Sequence, residues 1–202
     1  GSFDTFKCEL EIIRVPNATV KQVVNADPNQ IDLDPFFDAI NKATGDLITT
    51  SCGFLSPFQN ELDEVCDVPF ISSSLRQLEH LKNIYTPSEL QIITFDAAKL
   101  GPTHLPIGCE AFNTSVFGLN SDAHLKSIIE NNITHIDISK ASADICAVVR
   151  ANKKKSTKGI LLECTNLPPY KTDIRRISDV PIYDILTAIE KELPDSVHPY
   201  FL

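Results

Sequence analysis

Two cysteines, Cys52 and Cys164, carry the chemistry that this sequence suggests most directly. Each follows an apolar run and precedes a proline-opened segment. Laying the chain over itself by their separation of 112 residues, without gaps, brings further matches. Pro57 falls on Pro169, Phe58 on Tyr170, and Asp67-Val68-Pro69 on Asp179-Val180-Pro181. The chain therefore reads as a duplication with one thiol at the same point of each half. A thiol has an ordinary pKa near ~8.5 and can give or take a proton after a modest shift. Two opposed thiols can remove a proton from one face of a tetrahedral carbon and return one to the other face. That would invert a stereocentre.

The elements that would position these thiols are parallel βαβ units, because short β-rich apolar runs alternate with helix-period segments. The patterning predicts strands at Glu9–Val15, Leu47–Thr50, Phe70–Ser72, Gln91–Phe95, Glu110–Val116, Ile160–Leu162 and Ile182–Tyr183. Asp34, as N-cap before Pro35, opens a helix to about Thr44. A second opens at Ser56-Pro57-Phe58-Gln59 and runs to about Val65. Two more cover Ser121–Asn131 and Ala141–Lys153. Both cysteines then lie in loops beyond the carboxyl ends of strands, where ligands bind in such sheets. Backbone N–H groups of Gly53, Phe54, Thr165 and Asn166 can face an anion there, and the same positive environment is expected to lower the thiol pKa values. Across a pseudo-twofold axis the two thiols would meet at a cleft between the halves. The division expected is residues 1–73 with 185–202 as one half and 74–184 as the other. In the second half a strand at Gln91–Phe95 begins the unit. Its first-half counterpart would precede residue 1, so the first half is expected to be one strand short.

Composition narrows the alternatives. The 202 residues are 43% hydrophobic and 22% charged, ordinary for a globular protein. A net charge of −9 argues against nucleic-acid binding, and the run Lys153-Lys154-Lys155 reads as a solvated turn. No run of about eighteen apolar residues suggests a membrane span, so a soluble protein is expected, and cysteines too sparse for a disulfide scaffold make a reducing, cytoplasmic location the expected one. The sequons at Asn17, Asn113 and Asn132 read as chance occurrences. Cys8, Cys66, Cys109 and Cys146 have no repeat partner and read as packing residues. The five histidines show no metal-ligand spacing, and no metal site is expected.

The segments ITTSCGFLSPFQ at 48–59, VPFISSSL at 68–75 and LLECTNLPPY at 161–170 resemble the aspartate/glutamate racemase superfamily, over nearly the whole chain. The resemblance implies an α/β fold of two Rossmann-like (flavodoxin-like) halves and chemistry without a cofactor. It implies Cys52 and Cys164 as an acid/base pair. A substrate carboxylate would be held by Gly53, Phe54, Thr165 and Asn166, with Thr94 adding a hydroxyl and Ser73 a weaker candidate. Cys52-Gly53-Phe54 stands where glutamate racemases carry Cys-Asn-Thr, and Asn166 stands where they carry His. The function expected is a cofactor-independent racemase or epimerase acting at the α-carbon of an amino acid or related carboxylate. A single-cysteine isomerase or decarboxylase, a non-catalytic small-anion-binding module and a redox pair stay open. The expected partner is a small carboxylate, with a homodimer also open.

Overall fold

The computed structural model describes residues 3–202. Its helices are α1 (Val20–Val23), α2 (Asp34–Ile40), α3 (Gln59–Asp63), α4 (Leu78–Leu81), α5 (His124–Glu130), α6 (Ile138–Asn152), α7 (Lys171–Arg175) and α8 (Ile185–Glu192). Its strands are β1 (Ile48–Thr49), β2 (Phe70–Ile71), β3 (Leu90–Thr94), β4 (Val116–Gly118), β5 (Gly159–Leu162) and β6 (Ile182–Tyr183). β1 and β2 form one sheet, and a second runs in the order β4-β3-β5-β6. Every pairing within these sheets is parallel, so the fold is α/β with helices connecting parallel strands.

The duplication is visible in the hydrogen bonding. Ile48 pairs with Phe70 and Thr49 with Ile71, while Ile160 pairs with Ile182 and Leu161 with Tyr183. These registers superpose under the same shift that aligns the cysteines. The N–H of Ile48 donates to the Pro69 carbonyl at 3.0 Å, and that of Ile160 to the Pro181 carbonyl at 3.0 Å. α3 and α7 also coincide under this shift. One equivalent position has changed chemistry. The Gln59 amide clamps the backbone at Phe70 and Ser72, whereas Lys171 reaches Asp184 at 2.8 Å as a buried ion pair.

β3 and β5 are buried along their whole length, as strands covered on both faces should be. α6 lays Ala141, Ile145, Val148 and Val149 onto this core, at the helical spacing that keeps one face inward. After β2 the chain passes to the larger sheet, where Leu75, Leu78 and Leu81 join the core around β3 and β5. After β6 it returns. Ile185, Leu186, Ala188 and Ile189 of α8 pack with Ile71 and Val197, with Phe6, Leu47 and Leu202 at the margin. Burying a side chain of this size contributes roughly 1.5–3 kcal/mol, so α8 is a substantial part of the smaller sheet's cover.

Several local expectations are corrected. Glu9–Val15 forms no strand; Ile12 is 67% exposed, and Glu11 instead accepts hydrogen bonds from the N–H and hydroxyl of Thr44. Alternation alone makes no strand without a neighbouring edge to pair with. Among the described residues the smaller sheet thus has two strands against four, a larger deficit than the single strand expected. Glu110–Ser115 is a 3₁₀ helix, with Phe112 and Ser115 buried three residues apart, and the strand begins only at Val116. Leu33, not Asp34, is the N-cap of α2, which ends at Ile40. The helix expected from Ser56 starts as a 3₁₀ turn over Gly53–Phe58 before α3.

Candidate active site at the two cysteine loops

β1 and β5 each end in a loop that turns at its cysteine. The N–H of Leu55 donates to the Cys52 carbonyl at 3.3 Å, and that of Leu167 to the Cys164 carbonyl at 3.0 Å. The N–H two residues beyond each cysteine, at Phe54 and at Asn166, faces its sulfur. The Asn166 side-chain amide adds a contact to the Cys164 sulfur at 3.7 Å. Cys164 therefore has two N–H donors and Cys52 one.

The loops are tied directly together. The Thr165 hydroxyl donates to the Ser51 carbonyl at 2.6 Å. Just past β2, the Ser74 hydroxyl donates to the Leu162 carbonyl at 2.8 Å and reaches the Glu163 carbonyl at 3.2 Å. The thiols are close enough for charge on Cys52 to act on Cys164, and all six cysteines are free.

Between the loops lies Glu163, which the motif reading passed over. It directly follows the apolar strand β5, is 1% exposed, and among the described residues neither carboxyl oxygen meets a donor in hydrogen-bonding geometry. Its carboxyl packs against the Cα of Gly53, where a Cβ would lie 1.8 Å from Oε1 and 2.9 Å from the Glu163 carbonyl. Only glycine fits at 53 with this neighbour in place. The signal available in the sequence was that one acidic residue, immediately before Cys164 in LLECTN.

The electrostatics reverse the expected direction for the thiols. Burial, reinforced by the Glu163 charge, pushes both Cys52 and Cys164 up to about 12. The backbone N–H groups at Phe54 and Asn166 oppose this without overcoming it. Cys52 keeps part of its surface exposed, but its thiol is enclosed. Desolvation penalises the charged form more than one or two N–H dipoles reward it. Burial likewise raises Glu163 to about 7, against partial opposition from the nearby Thr94 hydroxyl.

Thr94, Ser73 and Phe54 lie around the loops together with His104 and Asp96, which were not among the expected residues. Thr94 is fully buried at the end of β3, beside Glu163. The Ser73 hydroxyl accepts the N–H of Leu75 at 3.1 Å and caps the following turn. The Phe54 ring is 1% exposed, edge-on to Phe95 and to His104 at 6.4 and 5.0 Å between centroids. His104 accepts the N–H of Gly101 at Nδ1, and its Nε2 meets the Asn25 carbonyl at 2.9 Å. Asp96, just beyond β3, pairs with Lys126 at 3.4 Å.

The thiols are enclosed in the seam between the two cysteine loops, while Ser51 and Asn166 beside them are exposed. Cavities of about 340 and 310 Å³ lie elsewhere, one beside Asp27, Pro57 and Thr103, the other beside Pro16, Gln30 and Phe36. Gly53, having no side chain, lets the Glu163 carboxyl and backbone carbonyl approach the loop after β1. No helix among the described residues is long and apolar enough to cross a membrane.

With this geometry established, comparison with known proteins gives a consistent sequence likeness. The chain is similar to dimethylsulfoniopropionate lyases. One from Durusdinium sp. clade D is 26% identical over 211 residues, covering 94% of this chain and 67% of that protein. Dimethylsulfoniopropionate lyase 7 of Emiliania huxleyi is 25% identical over 154 residues, covering 70% of this chain and 45% of its own length. The chain thus spans about two thirds of the first and under half of the second. No protein-family model matches. Among solved structures, glutamate racemase from Francisella tularensis in complex with D-glutamate aligns with a TM-score of 0.43 and 19% identity, over 73% of this chain and 55% of that one.

Proposed function

We propose that the chain is a cofactor-independent carbon-acid enzyme that removes the proton α to a carboxylate and expels a β-sulfonio group, with Cys164 as the base. The observation that carries this reading is the pair of thiols held at equivalent strand ends, with two N–H donors on Cys164 and one on Cys52. Donors directed at a sulfur favour its thiolate, so Cys164 is the better base. The sequence likeness to dimethylsulfoniopropionate lyases supplies the substrate class.

The bonds balance as follows. The α C–H bond breaks and an S–H bond forms on Cys164. The released pair becomes the carbon–carbon double bond, and the β C–S bond breaks. Neutral dimethyl sulfide leaves with the C–S bonding pair, and acrylate remains. A neutral sulfide needs no proton to depart, so one thiol suffices for elimination. In this reading Gly53, Phe54, Thr165 and Asn166 flank the carboxylate once the seam opens, with Thr94 behind them and Ser73 holding the adjoining turn.

A second reading, racemisation or epimerisation at the same α-carbon, is favoured by the matched placement of the two thiols, since inversion uses both. One experiment separates the two. Purified protein and its Cys52→Ala and Cys164→Ala variants are incubated with dimethylsulfoniopropionate and, in D₂O, with a panel of chiral amino acids. Release of dimethyl sulfide that vanishes in Cys164→Ala but persists in Cys52→Ala is the expected result. Deuterium uptake at an amino-acid α-carbon that vanishes in both variants would replace elimination with inversion. Neither product from the unaltered protein would refute both readings.

A further inference from the structure

Glu163 is a cost to the fold that the proposed reaction has not yet used. It is enclosed, and among the described residues no cation pairs with it and no donor meets its carboxyl oxygens in hydrogen-bonding geometry. The titratable groups within electrostatic reach of it are the Cys52 thiol, one residue before the Gly53 Cα that its carboxyl touches, and the Cys164 thiol of the next residue in its own loop, with the Thr94 hydroxyl of β3 nearby. Gly53 supplies only a bare Cα, and the Ser74 hydroxyl is spent on backbone carbonyls. A buried ionisable group with no cation and no donor in hydrogen-bonding geometry among the described residues is most simply explained by the work it does.

We infer that Glu163, Cys52 and Cys164 form one ionising unit that holds a single negative charge, in which Glu163 stores the proton a thiol must lose to act as a base. The inference rests on the proposed proton abstraction and supplies its missing step, since a buried thiol does not readily ionise into solvent. A second negative charge in this enclosed volume is opposed by the first, so the three groups titrate together. The S–H bond of a cysteine breaks, an O–H bond forms on the Glu163 carboxylate, and the net charge stays at minus one. The thiolate then takes the α-proton of the substrate. After the products leave, the carboxyl proton passes to solvent, which accounts for the one proton that the elimination releases. Glu163 is thus a positioning residue that acts through the thiols.

The consequence is a pH profile that a purely structural carboxylate would not produce. Below the ionisation of Glu163, at about 7, thiolate forms only as a proton is lost, and its population climbs about tenfold per pH unit. Above that point the unit already carries its charge. Thiolate then exchanges with carboxylate at fixed net charge, and the population is flat over roughly one to two pH units. Glu163→Gln removes the carboxylate, so the climb continues through the same range.

Iodoacetamide alkylation of Cys52 and Cys164, followed by peptide mass spectrometry from pH 6 to pH 10, reads thiolate without any substrate. The expected result is a rate that breaks to a plateau above about pH 7 in the unaltered protein and rises about tenfold per unit in Glu163→Gln. An unaltered protein whose rate climbs without a break overturns the inference even if the variant fails to fold. So does a folded variant whose profile runs parallel to that of the unaltered protein. The expected profiles with no dimethyl sulfide release would leave the charge-sharing unit standing and refute the lyase reading alone.

Discussion

The same substitution, Glu163→Gln, should make the protein more stable at pH 8 relative to pH 5. The carboxyl's pKa rises from its ordinary 4.5 to about 7, first because burial disfavours its charge. An acid with a raised folded pKa contributes most below its unfolded pKa. That contribution is lost as pH rises from 4.5 to about 7, because the unfolded chain ionises freely while the folded one resists. At ~1.4 kcal/mol per pKa unit, the full penalty above this window is about 3 kcal/mol. The group is 1% exposed, so solvent screening does not reduce it. Part of the window lies below pH 5, leaving about 2–3 kcal/mol of differential stability between pH 5 and pH 8. Glutamine buries an unsatisfied amide at its own cost, but that cost is independent of pH and cancels in the comparison. Urea denaturation of both proteins at the two pH values gives the number directly. Thermal melts should show the variant gaining roughly 4–12 °C on the unaltered protein between pH 5 and pH 8. A stability difference that stays constant across this range would show that Glu163 is not a buried carboxylate with a raised pKa.

Three other outcomes are expected. Gly53→Ala places a methyl into the Glu163 carboxyl and backbone carbonyl, and should cost about 1–3 kcal/mol in urea denaturation; combining it with Glu163→Ala should recover part of the loss, a non-additivity that a double-mutant cycle would measure. Asp184→Ala strands Lys171, itself 2% exposed, and removes the side-chain cap of α8. A loss of about 3–5 kcal/mol should follow, whereas Lys171→Met also strands the buried Asp184 carboxylate but keeps the cap, so its loss should be smaller by the cap's roughly 0.5–2 kcal/mol; equal losses would argue against the cap as a separate contribution. Thr165→Val removes the hydroxyl that ties the cysteine loops together, and should speed alkylation of Cys164 severalfold by loosening the seam. An unchanged alkylation rate would place the barrier to access elsewhere.

What was legible in the sequence is local or periodic. Parallel strands around the apolar runs Leu90–Thr94 and Gly159–Leu162 follow from continuous burial, and the structure places them within a residue or two of expectation. The equivalence of Cys52 and Cys164 follows from the shifted match of Pro57 and Asp67-Val68-Pro69 with their counterparts, and the ladders at Ile48–Phe70 and Ile160–Ile182 repeat it in hydrogen bonds. Duplicated sequence gives duplicated register because pairing is set by side-chain pattern along each strand. The fate of Glu9–Val15 was not legible, since a strand needs an edge to pair with and alternation carries no information about that edge. Nor was the direction of the thiol shifts. A loop after a strand suggests N–H donors, but the desolvation that outweighs them comes from elements more than a hundred residues apart, with Thr165 closing on Ser51. The same closure turned Glu163 from one acidic letter beside a cysteine into an enclosed carboxyl against the bare Cα of Gly53. Residue types and repeat spacing determined which groups could do chemistry. Only the packing of one loop on the other decided which of them share a charge, because burial and Coulomb coupling depend on distances that only the folded chain defines.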